Sequence, residues 1–313
     1  MEYVPCPISD SSDFEVRYKV PNRFEVSKGD EWHVVLSRAS GLAMLNPRPS
    51  QSEIAKFYEA LDYDPFISLK RAASLQDKVY KFVRQFISLR YKARAVLKRV
   101  KFEANQTYNV LEIGCATGDF LLELQRQSPA SLNLMGIEMS EKAAHYAREE
   151  NELNVYQGEL LTVNVAEQQD LIVMWHTLEH IHRLSETLDK IYTLLKPNGI
   201  FMTAMPNLDS LDAAHYGKYW VGLDAPRHLY HFTPKSFAAL LKKHGLAIVD
   251  MHGLALDSYY NALLSEQLCA AVKGKAGSVL TLLKALFWGS LAAIHGVTPE
   301  VASSVCYYVR KIR

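Results

Sequence analysis

Three acids close apolar runs of strand length, and a glycine turn follows the first of them. In "VLEIGCATGDF", residues 110–120, Glu112 precedes Gly114 by two positions and Gly118 opens a helical pattern. Glycine at 114 can take backbone angles closed to other residues, and glycine at 118 lets the next helix pack close, so a flat ligand can approach main-chain atoms. Cys115 and Ala116 lie between them, and alanine adds a methyl where a third glycine would leave space. A dinucleotide pyrophosphate wants G-x-G-x-x-G against a helix N-terminus, and that spacing is absent. A carboxylate just ahead of the turn would also repel a diphosphate, while it suits a ligand with a cationic amino acid end. Twenty residues past Gly118, "LMGIE" ends on Glu138, placed to accept from both hydroxyls of a ribose, with Met139 beside it. "QGEL" then puts Glu159 and Leu160 where an adenine edge and face would be met. One such acid alone would be a solvated strand end; three in order describe a nucleoside site.

Histidines form two further groups, His176, His180 and His182 after "DLIVMW", and His228 with His231 in "RHLYHF". A single histidine is more often structural than catalytic, yet both groups follow strand-like runs at the ligand edge of a sheet. An imidazole with a pKa near ~6.5 suits removal of a proton from a hydroxyl or amine, so His180, His228 and His231 are the candidate bases.

These residues must be positioned by the pattern around them. From residue 107, apolar runs alternate with amphipathic helices, the signature of an α/β fold with a doubly wound parallel sheet covered on both faces. Three regions separate: a short strand-like stretch over 1–58, a helical basic cap over 59–106, and the α/β domain over 107–313 with a helical insertion at about 255–300. Between Lys70 and Lys101 stand eleven Lys or Arg residues and one acid, Asp77, although the chain of 313 residues carries a net charge of only +1. That segment reads as an amphipathic helix, or as a positive rim for a phosphate-bearing substrate; without an RNA-binding motif, nucleic acid is disfavoured. The four cysteines show no pair spacing, as expected of reduced thiols in a cytoplasm. "MEYVPCPISD" has neither a basic start nor an apolar core, so no signal peptide is expected. "VLTLLKALFWGSLAAIHGV" is interrupted by Lys284 and His295, short of the ~20 apolar residues a span requires, and reads as a buried or partner-facing helix.

"VLEIGCATGDFLLEL", "GIEMSEKAAHYARE", "DLIVMWHTLEHI", "LLKPNGIFMTAMPN" and "APRHLYHFTPKSFAALLKKHGL" together resemble the successive motifs of class I S-adenosylmethionine-dependent methyltransferases, in the branch acting on small molecules and glycans. The resemblance implies a Rossmann-like sheet of seven strands with the last antiparallel, helical lid elements, and S-adenosylmethionine across Glu112, Gly114, Gly118, Glu138 and Glu159. It also implies His176 beside the methionine part and Tyr63, in "DYDPF", folded over the cofactor. Ala116 departs from the family's usual glycine, which lowers the expected affinity. In related proteins a zinc ribbon precedes this domain; here Cys6 remains while Ser9, Ser37 and Ser40 stand at the other ligand positions, so the metal expectation is none. The expected reaction is methyl transfer to a sugar, sugar nucleotide, or lipid- or quinone-type precursor, anionic if the basic rim bears on it, with a homodimer left open. The alternatives are a cofactor-binding but inactive partner protein and a nicotinamide-dependent sugar-modifying enzyme. Tyr216, Tyr219 and Trp220 could stack on an acceptor ring or pack beneath a lid.

Overall fold

The structure is a computed structural model that describes residues 1–26, 29–58 and 88–312. Tyr63 and most of the basic segment fall outside the described residues. Three strands come first, β1 (Phe14–Pro21), β2 (Glu31–Ser37) and β3 (Ala43–Leu45), and then α1 (Leu89–Arg99) carries the end of the basic stretch with Ala93, Ala95 and Val96 turned inward. β4 (Thr107–Ile113), α2 (Asp119–Gln127), β5 (Ser131–Glu138), α3 (Glu141–Glu149), β6 (Asn154–Gln157) and β7 (Gln169–Trp175) realise the expected alternation. α4 (Leu184–Leu194), β8 (Leu195–Pro206), α5 (Leu211–Tyr216), the two-residue β9 (Tyr230–His231), α6 (Pro234–Lys243) and β10 (Leu246–Gly253) follow. α7 (Ala255–Val272), α8 (Val279–His295) and β11 (Ser304–Lys311) complete the chain.

Local chemistry sets several of these boundaries. The Ser140 side chain caps α3 by accepting from the Ala143 N–H. Thr233 and Ser236 form a capping box on α6, with Pro234 at the first helical position, where its missing N–H costs nothing. The pattern "LSETLDKIYTLLK" predicts a helix up to Pro197, but α4 stops at Leu194 and β8 begins at Leu195.

Seven strands make one sheet in the order β10-β11-β8-β7-β4-β5-β6, mixed because its last strand is antiparallel. β4 pairs in parallel with both β5 and β7, so successive crossovers leave β4 in opposite directions. That reversal is where open α/β sheets bind ligands, at the carboxyl ends of the strands. β4 and β7 are buried along most of their length, and their near-continuous apolar sequences follow from helices on both faces.

The residues gather into two compact units, one comprising 1–60, 176–185 and 204–308, the other 61–175, 186–203 and 309–313. In the first unit β1, β2 and β3 extend into a four-stranded sheet whose last member is β9, hydrogen-bonded to β3 through Ala43↔His231 and Met44↔Tyr230. Cys6 and the three serines form two close pairs: Cys6 Sγ lies 3.1 Å from Ser40 Oγ, and Ser9 Oγ lies 3.4 Å from Ser37 Oγ. Burial acts to raise the Cys6 thiol pKa, but hydrogen bonds with Ser40 and Ser9 bring it below the usual range. One thiol and three hydroxyls fall short of the four good ligands a structural zinc site takes.

Of the two readings of the late helix, buried or partner-facing, α8 does not fit the buried one. Only Ala285, Gly289 and Ala292 are buried, while Val279, Leu280, Leu283, Phe287 and Ile294 are exposed. Gly289 is needed where α8 meets α7, since a Cβ there would lie 2.9 Å from the Tyr259 Cα. Among the described residues no helix is long and apolar enough to cross a membrane. All four cysteines are free thiols.

Candidate active site

In the second unit the turn after β4 is built by its backbone. The N–H groups of Gly114 and Cys115 both donate to the Ile137 carbonyl, at 2.8 and 3.2 Å. Gly114 and Gly118 take φ of 75° and 78°, the left-handed region that glycine enters without steric cost. A Cβ on Gly118 would also collide with the Leu153 side chain, so the glycine serves the packing of α2 as well as its start.

Ala116 adopts φ 48° although it carries a Cβ. Its N–H donates to Glu138 Oε2 at 2.8 Å, and the Ser140 N–H donates to Oε1 at 2.8 Å, so Glu138 braces the turn from the end of β5. Alanine therefore bends to the site instead of blocking it, at a conformational cost of roughly 1 kcal/mol. Replacing Ala116 by glycine is expected to stabilise the protein by up to about 1 kcal/mol, read from urea denaturation; a loss of stability would contradict the strain.

Glu138 was expected to face ribose hydroxyls. Burial raises its pKa, opposed by the N–H groups of Ser140, Ala116 and Met139. Each of its oxygens keeps a second lone pair, so bracing and ligand binding are compatible. Glu112 is 3% exposed and its Oε2 has no hydrogen-bond partner among the described residues. Burial lifts its pKa well above the ordinary value, with Lys92 pulling the other way. Leu160 is buried, Glu159 half-buried with its carbonyl turned to the Thr162 and Val163 N–H groups, and Met139 largely exposed. Burial pushes the Cys115 thiol far up, which removes it as a nucleophile. Trp175, ending β7, stands 5.3 Å from the Phe120 ring and carries Lys92 over its face at 4.6 Å.

The first unit holds the histidines. His176 takes φ 48°, a strained value for a residue with a Cβ, and its N–H donates to the Ala204 carbonyl at 2.9 Å. Its Nε2 lies 3.0 Å from Asp257 and its Nδ1 3.7 Å from Glu179, an ion-paired setting that sequence reading, which placed His176 against a methionine moiety, does not supply. Burial acts to lower its pKa, but Asp257 and Glu179 outweigh it and raise the value to about 9. The unfolded value is near ~6.5, so the stabilisation from this charge is complete below about pH 6.5 and is lost as pH rises through the folded value. Substituting Asp257→Asn is expected to lower the His176 titration midpoint seen by NMR and to flatten the decline of stability above neutral pH. An unmoved midpoint would contradict the pairing.

His180 sits in a short turn, Leu178–His180, whose Glu179 carbonyl accepts from the Leu229 N–H at 2.8 Å. Its Nδ1 lies 3.0 Å from the Arg227 carbonyl and 2.8 Å from the Tyr58 hydroxyl. Burial, followed by the neighbouring His228, lowers its pKa to about 4. His228 follows a turn closed by its own N–H and that of Arg227 on the Asp224 carbonyl, and its Nδ1 lies 2.9 Å from the Gly222 carbonyl. The His180 and His228 rings meet edge to face at 4.6 Å. His231 on β9 is 4% exposed with neither ring nitrogen hydrogen-bonded among the described residues, and burial and His228 take its pKa to about 3. His182 instead reaches the Pro49 carbonyl at 3.0 Å. Of the three candidate bases, His180 and His228 are thus brought together.

Asp224 and Arg227 stand behind them. Arg227, 1% exposed, donates twice to Asp224, at 2.6 and 3.0 Å, and Arg23 adds a third bond to Asp224 at 2.7 Å. Both guanidiniums lie against Phe24, at 4.4 and 4.3 Å from its centroid. Beside them is a cleft of about 380 Å³ lined by Phe24, Glu25, Asp30, Trp32, Lys56 and Phe57 together with Asn22 and Arg227. Sequence reading missed Glu179, Asp224, Asp257 and Tyr58; the one local signal was Glu179 beside His180 in "TLEHI". Trp220 is 1% exposed with its Nε1 bonded to Asp212 at 2.8 Å, so it packs and does not present a ring to a ligand.

A profile of the methyltransferase domain family matches residues 84–251, 168 of the 313 in the chain. Carboxy-S-adenosyl-L-methionine synthase of Wolinella succinogenes is 31% identical over 101 residues, which cover 30% of this chain and 42% of that protein. Demethylmenaquinone methyltransferase of Lactobacillus johnsonii is 25% identical over 170 residues, covering 48% of this chain and 69% of that protein. The chain thus spans less than half of the first of these relatives. Among solved structures, the [4+2]-cyclase SpnF superposes with a TM-score of 0.52 at 14% identity, over 85% of this chain and 98% of that one, a likeness of fold alone.

Proposed function

Since the chain belongs to the methyltransferase domain family, we propose that it transfers a methyl group from S-adenosylmethionine to a small-molecule acceptor. The observation that carries this reading is the Glu112 carboxylate, buried, with Oε2 lacking a hydrogen-bond partner among the described residues, two residues ahead of a glycine turn at the sheet's reversal point. An orphaned buried carboxylate is costly unless a cation or donor meets it, and a positively charged amino acid end supplies both. Glu112, the turn 114–118, Glu138, Glu159 and Leu160 would hold the cofactor, with Met139 at its rim. Bound there, S-adenosylmethionine supplies a methyl group already activated on a sulfonium.

The chain's own work is then to hold the acceptor in line and exclude water. An acceptor arriving as a hydroxyl or amine must also lose a proton, and that task falls to the cluster of Glu179, His180, His228 and His231. At neutral pH His180 and His231 are uncharged, so each keeps a lone pair. For the acceptor we favour a sugar or sugar nucleotide over a quinone- or lipid-type precursor. The support is the first unit's cleft, where Phe24, Trp32 and Phe57 offer ring faces and Glu25, Asp30 and Lys56 offer partners to hydroxyls or phosphate. The quinone alternative rests on relatives whose names specify menaquinone or ubiquinone biosynthesis. Incubation with radiolabelled S-adenosylmethionine and fractionated cell extract is expected to label a small, polar, phosphate-bearing product. Label partitioning wholly into organic solvent would overturn the sugar assignment, and no transfer at all would overturn the reading itself.

A further inference from the structure

The cluster in the first unit has a property that base catalysis does not require. One donor atom from each of Glu179, His180 and His228 lies within 4.8 Å of the other two. The Nδ1 of His228 lies beside the Gly222 carbonyl and that of His180 beside the Arg227 carbonyl, with the Tyr58 hydroxyl at 2.8 Å; carbonyls only accept and a hydroxyl accepts too, so the tautomer that satisfies both carbonyls puts the proton on each Nδ1. That tautomer leaves both Nε2 atoms as lone pairs, with no hydrogen bond among the described residues. Imidazoles that ligate metals are held in this way, the second nitrogen donating to a carbonyl or carboxylate.

The acid supplies an independent observation. Glu179 is 1% exposed, and neither carboxylate oxygen has a hydrogen-bond partner among the described residues. His176 pairs with it by charge from 3.7 Å, beyond hydrogen-bond reach, so the carboxylate oxygens keep lone pairs for a further cation. His231, buried nearby with both ring nitrogens unpartnered among the described residues, extends the set of unmet donors and acceptors. Carboxylates so enclosed are paired, protonated or bound to a metal.

We infer that Glu179, His180 and His228 form a mononuclear site for a divalent transition-metal ion, with zinc as the ion the donor set favours. Two neutral imidazoles and one carboxylate are borderline ligands that suit zinc and disfavour magnesium or calcium. Three protein ligands leave a position open for a water or an oxygen of a bound molecule, the arrangement of catalytic rather than structural zinc sites. The inference departs from the expectation of no metal, which was drawn from the serine-substituted N-terminal module alone; an ion held there would engage the lone pairs of His180 and His228 proposed above for proton removal and leave His231 for that task, and zinc binding is tested without reference to methyl transfer.

The test is zinc chloride titrated by calorimetry into the full chain after treatment with a chelator, with metal counted by mass spectrometry after dialysis. One zinc per chain is expected. His180→Ala and His228→Ala are each expected to weaken binding by about 100-fold or more, and Glu179→Gln to weaken it as well. His228→Gln, closer in size, covers the case in which alanine unfolds the turn, and circular dichroism reports folding of each variant. Cobalt substituted for zinc is expected to give the visible bands of a nitrogen- and oxygen-ligated ion without thiolate charge transfer. Failure of the parent to bind zinc, folded variants that bind as the parent does, or a thiolate band placing the metal on cysteine would each overturn the site.

Discussion

Replacing Glu112 by glutamine is expected to weaken S-adenosylmethionine binding by about 100-fold while leaving the free protein as stable as the parent, or slightly more so. In the free protein this carboxyl is buried with one oxygen unpartnered among the described residues, and burial holds its pKa well up. An acid whose folded pKa is raised binds more protons folded than unfolded, so it makes stability fall as pH rises. Glutamine removes that penalty. With the cofactor bound, the balance reverses, because truncating one partner of a buried charge pair costs about 2–5 kcal/mol, and each 1.4 kcal/mol is tenfold in affinity. Binding should also tighten with rising pH in the parent, as Glu112 ionises, and lose that component in the variant. Isothermal titration with urea denaturation reads both effects; a variant with parental affinity would take Glu112 out of the site.

Asp224→Asn is expected to be the most destabilising conservative substitution proposed, at about 3–5 kcal/mol in urea denaturation, because it strands Arg227 as an uncompensated buried charge beside Arg23. Asparagine tolerates the positive φ of 24° at this position nearly as well as aspartate, so the change isolates the charge. Burial opposes ionisation of Asp224, but Arg23 and Arg227 hold its pKa far below the carboxylate range. A depressed folded pKa gives stability that is present above the unfolded value, near ~4, and is lost as pH falls below it. The parent should therefore lose stability in acid more steeply than the variant. Equal acid profiles would show that the two arginines do not depend on Asp224.

What the sequence revealed and what it concealed divide along chain distance. The alternation of β4 through β8, the turn at 114–118 and the acids at the ends of β4 and β5 could be read because each is a local pattern with its own physical requirement. Ala116 was legible as an anomaly, though not its resolution, since its N–H reaches Glu138 across 22 positions. Arg23 and Asp224 stand 201 positions apart, and no local pattern pairs them. β9 was invisible for another reason: two residues set no periodicity, and their strand character exists only against β3. In α8 the apolar sequence left burial and a partner-facing role both open, because hydropathy records what a face prefers and not what covers it. Glu179 was overlooked beside His180 since an acid in a polar turn looks solvated until its burial is known.

The central claim is that the carboxylate-edged turn after β4 receives an adenosyl ligand with a cationic amino acid end. Calorimetric titration of the folded chain with S-adenosylhomocysteine measures this directly, with NAD as the comparison. One saturable site for the homocysteine compound and none for NAD is the predicted result. Absence of any heat with S-adenosylhomocysteine and S-adenosylmethionine alike, from protein shown to be folded, would contradict it.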